Sequence, residues 1–243
     1  NVLRYVAEKP PKENVRTFKM KNETQKPLVI ASKGYTIPGC SCVRFGLDVE
    51  SIKKVVKDAK ARPKLYPADF IKNYNFDTQS TCSDFTTQRG AGQNVVAYSY
   101  YHTEGKVNIE SQHFKKYLGQ LHGRARVIHD SYPDWNMRIY HNVSEDDEVG
   151  NKFLCKIYCV HQHVDLCQVH NLPDLGDLVK RGVVGRLWRF AVMGDPTVSL
   201  FLSRDSDSWI LDREVAVVRE WISSGKGFHV IRDHPNHKAV MLA

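Results

Sequence analysis

Asp205 and Asp207 stand one residue apart, just after the apolar run Val198-Ser199-Leu200-Phe201-Leu202. Two carboxylates on a loop leaving a strand are hard oxygen donors of the kind that Mg²⁺ or Mn²⁺ uses when it bridges a protein to a phosphate. One could bind the ion while the other orients a water or a ribose hydroxyl. Acidic turns are also frequent, and Asp207 or Ser208 could instead cap the next helix. A second constellation is Cys155-x3-Cys159-x-His161-x-His163-x3-Cys167-x2-His170, whose ligand types suit zinc. Its spacing follows no zinc-finger pattern. With Phe153 to Val160 taken as a strand, Cys155, Cys159, His161 and His163 share one face, where they cannot all converge on a small ion. The six cysteines read better as disulfide partners, in any of fifteen pairings, or as buried apolar groups. Cys40, Cys42 and Cys82 could then bridge the N-terminal segment to the rest. The chain carries no GxSxG, GxxxxGK[ST] or HExxH motif, and Gly90-Ala91-Gly92 precedes a strand instead of following one, so hydrolase and NTPase chemistry lack motif support.

These residues need elements to hold them. Val95 to Tyr101 is β-branched and aromatic and predicts a strand; Ser111 can cap a helix carrying Phe114, Tyr117, Leu118 and Leu121, ended by Gly123. Met137 to His141 and Phe153 to Val160 read as strands, and a helix begins at Leu175, Leu178 and Val179 and runs to Trp188. After the strand Val198–Leu202, the spacing of Leu211, Val215, Val218 and Ile222 predicts a helix with Asp212 and Glu214 near its positive end and Gly225 and Gly227 beyond it. Phe228 to Ile231 reads as a last strand. Such alternation implies an α/β fold, a mostly parallel sheet with helices on both faces. Ligands of these sheets bind beyond the carboxyl ends of the strands. Those ends would gather Tyr101-His102-Thr103, His141-Asn142, His161, His163, Asp205, Asp207 and Arg232-Asp233-His234. Of the four tryptophans, Trp188 and Trp221 lie in helical patterns and read as core.

The composition, 42% hydrophobic and 26% charged over 243 residues, is that of a globular chain and excludes disorder and collagen-like repeats. No apolar run approaches the roughly 18 residues of a membrane span. The chain opens on Asn1, so processing or trimming is expected. Residues 1–93 hold 17 Lys and Arg against 9 Asp and Glu, whereas residues 94–243 hold 18 of each. We therefore divide the chain into an irregular basic N-terminal extension, 1–93, and an α/β domain, 94–243. The extension could engage an anionic partner such as a sulfated glycan, a lipid surface or a nucleic acid. Its Lys53 to Lys60 stretch has Ile52, Val55, Val56 and Ala59 at helical spacing, and reads more simply as the wet face of an amphipathic helix. No aromatic residues interleave there, so no specific nucleic-acid reading follows. Two glycosylation acceptor patterns, at Asn22 and Asn142, and an even cysteine count favour the secretory pathway or the extracellular space.

Several blocks occur in order: Tyr132-Pro133-Asp134-Trp135-x-Met137-Arg138-Ile139-Tyr140-His141; Leu187-Trp188-Arg189-Phe190; Asp195-Pro196-Thr197-Val198; Phe201 to Ser208; Arg213 to Trp221; and Phe228 to Pro235 with His237. Together they resemble a group of glycosyltransferase-like proteins in the nucleotide-diphospho-sugar transferase superfamily, over roughly residues 94–243. Nothing in residues 1–93 joins the likeness. The resemblance implies a Rossmann-like GT-A type sandwich in which Asp205 and Asp207 hold Mn²⁺ or Mg²⁺ against the diphosphate of a nucleotide-diphosphate sugar. It brings His234 to the metal and Arg204 and Arg232 to the donor as fixed positive charges. It also implies a hexose donor, a glycan or protein acceptor, and work in the Golgi lumen or outside the cell. In this group the sheet continues past the His-Pro block, so the domain is expected to lack its C-terminal part, and no catalytic base is named. The alternative is a secreted, non-catalytic binding or structural protein on the same fold, engaging an anionic partner through residues 1–93.

Overall fold

The computed structural model describes residues 16–17, 29–66, 78–102 and 105–231. Strands β1 (Arg16–Thr17) and β2 (Val29–Ile30) pair antiparallel, as do β3 (Ser32–Tyr35) and β4 (Arg44–Leu47). Helix α1 (Val49–Ala61) follows, with Val49, Ile52, Val56 and Ala59 buried and the lysines outside, as an amphipathic period requires. The expected irregularity of this part therefore gives way, over residues 32–61, to a hairpin and a 13-residue helix.

After the short helix α2 (Asp84–Thr87) comes β5 (Gln93–Tyr100), then α3 (Gln112–Lys116), α4 (Leu121–Ser131), β6 (Trp135–His141), α5 (Glu148–Val160), β7 (Val164–Gln168), a 3-10 helix (Gly185–Gly194), β8 (Val198–Arg204) and α6 (Asp212–Ser224). The four strands β5 to β8 form one sheet in the order β7-β6-β5-β8, every pair parallel. The fold is thus mixed α/β with a parallel sheet flanked by helices. Central β5 is buried along nearly its whole length, which is why it reads as a continuous apolar run without alternation. Val96, Tyr98 and Tyr100 face Leu121, Ala125 and Ile128 of α4, Leu154 and Ile157 of α5, and Val215, Val218 and Trp221 of α6. Val95 and Ala97 face the other way, onto Cys82, Cys167, Leu178, and Trp188 and Val192 of the 3-10 helix. The α-helices α4, α5 and α6 share one face; the opposite face is covered by the 3-10 helix and the turns before it.

Four local expectations are corrected. Residues 153–160 belong to α5: Asp147 caps it by accepting from the Gly150 N–H at 2.9 Å, and Leu154, Ile157 and Tyr158 bury one helical face. The strand lies later, at Val164–Gln168. Helix α4 runs through Gly123 because its apolar face anchors both sides of that residue. No helix spans 175–188; Gly176 and Gly182 take positive φ in successive turns before the 3-10 helix. Residues 228–231 form no strand, and Phe228 is 84% exposed.

Three disulfides close the architecture: Cys40–Cys155, Cys42–Cys159 and Cys82–Cys167. Each joins the first third of the chain to the sheet domain. Arg44 adds a buried clasp, donating to the carbonyls of Tyr158 at 3.0 Å and Val164 at 2.6 Å. On the sheet itself, Arg138 and Asp195 form a fully buried ion pair at 2.6 Å, and Asp195 also accepts from Ser80 Oγ and the Thr81 N–H. Burial alone would raise the Asp195 carboxyl, but the Arg138 charge and the hydrogen bonds from Ser80 and Thr197 outweigh it and hold it below the usual carboxylate range.

Candidate functional site

The chain lays down β5, β6 and β7 in one direction, then returns to place β8 on the other side of β5. The sheet order therefore reverses between β5 and β8, and in open parallel sheets such a reversal sets the ligand crevice beyond the carboxyl ends of the two strands. Asp205 is the first residue after β8 and half exposed, with 54% of its side chain accessible. One of its oxygens accepts from Nη1 of Arg189, a residue almost wholly buried on the 3-10 helix. Arg189 is itself fixed: its backbone N–H donates to Ser99 Oγ on β5 at 2.8 Å, and Nη1 also donates to the Arg204 carbonyl at 3.1 Å. Three elements thus aim one carboxylate.

Asp207 lies 3.1 Å from Nζ of Lys116, at the end of α3. The hydrogen bond from Lys116 to Asp207 holds the ammonium above its ordinary range. Neither Asp207 nor Ser208 caps α6, whose N-cap is Leu211 with no side-chain bond, so the capping reading is overturned. Asp205 and Asp207 each engage a cation through one oxygen. The second oxygen of each is a donor of the type a hard cation takes. Among the described residues no third acid or histidine completes a cluster around them. Arg204 turns inward instead, pairing with Glu214 and donating to the Trp209 carbonyl at 2.8 Å, so it pins α6 beneath the crevice. Arg232 and His234, with Asp233 and His237, lie outside the described residues.

The other strand ends divide by burial. Tyr101 is 37% exposed and meets Trp188 edge-on at 6.0 Å and His113 at 6.4 Å. His102 is clasped by Asn142, whose Oδ1 accepts from the His102 N–H at 3.2 Å while its Nδ2 donates to the His102 carbonyl at 2.9 Å. The Nδ2 of the Asn142 acceptor pattern is thus engaged between the ends of β5 and β6; Asn22 lies outside the described residues. His141 is buried, and burial first, then the charges of His170 and His102, pushes its imidazole down to about 3. Burial thus favours its neutral form within the core. His161 and His163 sit at the opposite edge, because they precede β7 where a strand was expected to end. There they line an open cleft of about 560 Å³ with Arg89, Arg126 and His129. His161 lies 3.2 Å from His122, and burial first, then its histidine neighbours and Arg126, holds it down to about 4. This cleft stands away from the switch point, and no carboxylate lines it.

Lys116 and Arg189 were not foreseen as partners of the two aspartates. Arg189 lies within Leu187-Trp188-Arg189-Phe190 with no role attached, and in a stretch that also holds Arg186 its residue type gives no signal of a partner. Lys116 carried none. Compared with protein-family models, curated proteins and solved structures, the chain matches none of them.

Proposed function

We propose that the crevice between β5 and β8 binds a nucleotide-diphosphate sugar together with Mn²⁺ or Mg²⁺, and that the protein transfers a hexose to a glycan or protein acceptor in the secretory pathway, in the Golgi lumen or beyond. The observation that carries this reading is the position of Asp205 and Asp207 at the carboxyl end of β8, beside β5, where the strand order reverses. Both carboxylates would hold the cation, which when bound supplies Lewis-acid neutralisation of charge growing on a leaving diphosphate. Arg189 keeps Asp205 oriented from a buried base, so the carboxylate loses little freedom on ligation. Lys116 is released from Asp207 when a stronger cation arrives, and its Nζ is then free to take a phosphate oxygen. Tyr101 offers an exposed aromatic face at the mouth for the base of the nucleotide. The three disulfides are compatible with an oxidising, extracellular setting, and among the described residues no helix is long and apolar enough to cross a membrane.

A second reading, a secreted binder without turnover, is favoured by one feature. Each aspartate already has a cationic partner, so the site is charge-compensated without metal.

Calorimetric titration with UDP and GDP, with and without Mn²⁺, tests the donor site. Metal-dependent binding of one nucleotide is expected, weakened about tenfold or more in Asp207→Asn. The melting temperature should change little, because Lys116 is solvent-exposed. Unchanged affinity in the variant would refute the assignment. Release of free sugar or glycoside from the matching donor separates transferase from binder.

A further inference from the structure

The sulfur atoms of Cys40, Cys42, Cys155 and Cys159 all lie within 4.8 Å of one another. Two disulfides need only two close pairs of sulfurs. Here the unbonded contacts are short as well: Cys40 Sγ lies 3.6 Å from Cys159 Sγ, and Cys155 Sγ lies 3.7 Å from Cys159 Sγ. Four thiolates around a zinc ion at about 2.3 Å stand roughly 3.8 Å apart along each edge of the tetrahedron. These two unbonded contacts already have that spacing, and the other unbonded pairs lie within 4.8 Å.

The backbone explains the convergence. Cys155 and Cys159 are one turn apart on α5 and so share a face. Cys40 and Cys42 come from the loop between β3 and β4, just after Gly39 turns the chain at positive φ. The fold holds that loop over the helix independently of the sulfurs, through the Arg44 clasp to Tyr158 and Val164 and through the Tyr158 hydroxyl, which donates to the Tyr35 carbonyl at 3.0 Å. The four cysteines are half-buried, so an ion could reach them. Lys152 and Lys156 precede Cys155 and Cys159 by three positions on the same helix face, where they offset the double negative charge of a zinc tetrathiolate.

We propose that this four-cysteine cluster is a redox-gated zinc site, holding two disulfides when oxidised and one Zn²⁺ when reduced. In the reducing step a dithiol gives two electrons and two protons to each disulfide and is itself converted to a disulfide. Zn²⁺ then displaces the four thiol protons and forms four Zn–S bonds. A disulfide oxidant reverses the order: two oxidant disulfides take four electrons from the zinc-bound thiolates and four protons from water to become dithiols, while the two protein S–S bonds re-form and the ion leaves. In either state the loop stays fastened to α5, so the clamp works on both sides of an oxidising boundary. The third disulfide, Cys82–Cys167, lies outside the cluster and takes no part.

The test uses the full chain, reduced with a phosphine under anaerobic conditions, cleared of metal, and titrated with Co²⁺ and then Zn²⁺. One Co²⁺ per chain is expected, with intense visible bands and sulfur-to-metal charge transfer of tetrahedral thiolate ligation, and Zn²⁺ should bleach both. Zn²⁺ should also raise the melting temperature of the reduced chain. Cys42→Ser should weaken metal binding by about tenfold or more, and Cys82→Ala/Cys167→Ala should leave the Co²⁺ spectrum unchanged. The proposal fails if reduction yields no stoichiometric site, if the Co²⁺ bands are those of octahedral nitrogen or oxygen ligation, or if Cys42→Ser binds as well as the native chain. A reduced chain that loses its circular dichroism and does not regain it with Zn²⁺ also overturns it.

Discussion

Replacing His141 by phenylalanine should flatten the acid side of the stability profile. His141 ends β6, is 6% exposed, and is held down to about 3 by burial first and then by His170 and His102. An unfolded histidine titrates near 6.5. Because the folded value is the lower one, the unfolded chain binds the extra proton, and stability present above pH 6.5 is lost as pH falls toward 3. Each unit of that window corresponds to about 1.4 kcal/mol. Between pH 7.5 and 4.5 roughly two units are crossed, so this one imidazole removes about 3 kcal/mol. Phenylalanine keeps an aromatic ring there and cannot titrate, and the cost of its larger ring is the same at both pH values and drops out of the comparison. Urea unfolding followed by circular dichroism, on both proteins at both pH values, gives the difference directly. The variant should lose about 3 kcal/mol less than the native chain. His161, also depressed, contributes equally to both and cancels. Equal losses in the two proteins would refute the claim that His141 is a buried neutral residue, and would return it to the pool of acid–base candidates at the sheet edge.

Two further outcomes follow from packing and covalent topology. With the other two disulfides intact, the shortest loop closed by Cys82–Cys167 runs forty residues from Cys42 to Cys82 and eight from Cys159 to Cys167, about 48 in all. Removing this bond in Cys82→Ala/Cys167→Ala should cost about 4 kcal/mol and lower the melting temperature by roughly 8–16 °C in calorimetry. A loss below about 1 kcal/mol would contradict the loop estimate. Gly185→Ala puts a methyl group into the ring of Tyr101, so it should destabilise the fold by about 1–3 kcal/mol in thermal melts. The same change in a Tyr101→Gly background, which removes the Cβ as well as the ring, should cost much less, and equal costs in both backgrounds would exclude this contact as the cause.

The sheet was legible where β-branched and aromatic residues run together, in the buried strands β5 and β6 and also in the half-buried edge strand β8. β5, β6 and β8 appear close to where their β-branched and aromatic runs put them, and α1 and α6 follow their apolar spacing. In α6 the buried set is Val215, Val218 and Trp221, while Ile222 is 46% exposed; the stripe is rotated by one residue, which spacing alone could not tell. Residues 153–160 misled because Phe153, Ile157, Tyr158 and Val160 favour strands in isolation, whereas the Asp147 cap and the Leu154–Ile157–Tyr158 face carry a helix. At the site, Asp205 and Asp207 could be found because they stand together in sequence. Their partners could not: Arg189 and Lys116 come from other elements, and a salt bridge between distant segments leaves no periodic trace. The placement of His161 and His163 failed with the strand assignment on which it rested.

The disulfides also interleave: Cys82 falls inside the loop spanned by Cys42 and Cys159, and Cys167 falls outside it. Pulled from its two ends, the oxidised chain would transmit tension from Cys42 directly to Cys159 and bypass the 117-residue separation between them. At roughly 3.4 Å per residue, that shelters about 400 Å of contour length from extension. The sheltered stretch contains β5, β6 and most of the helical face, so force reaching the protein would peel the N-terminal residues and the β8–α6 end while leaving the centre of the sheet unloaded.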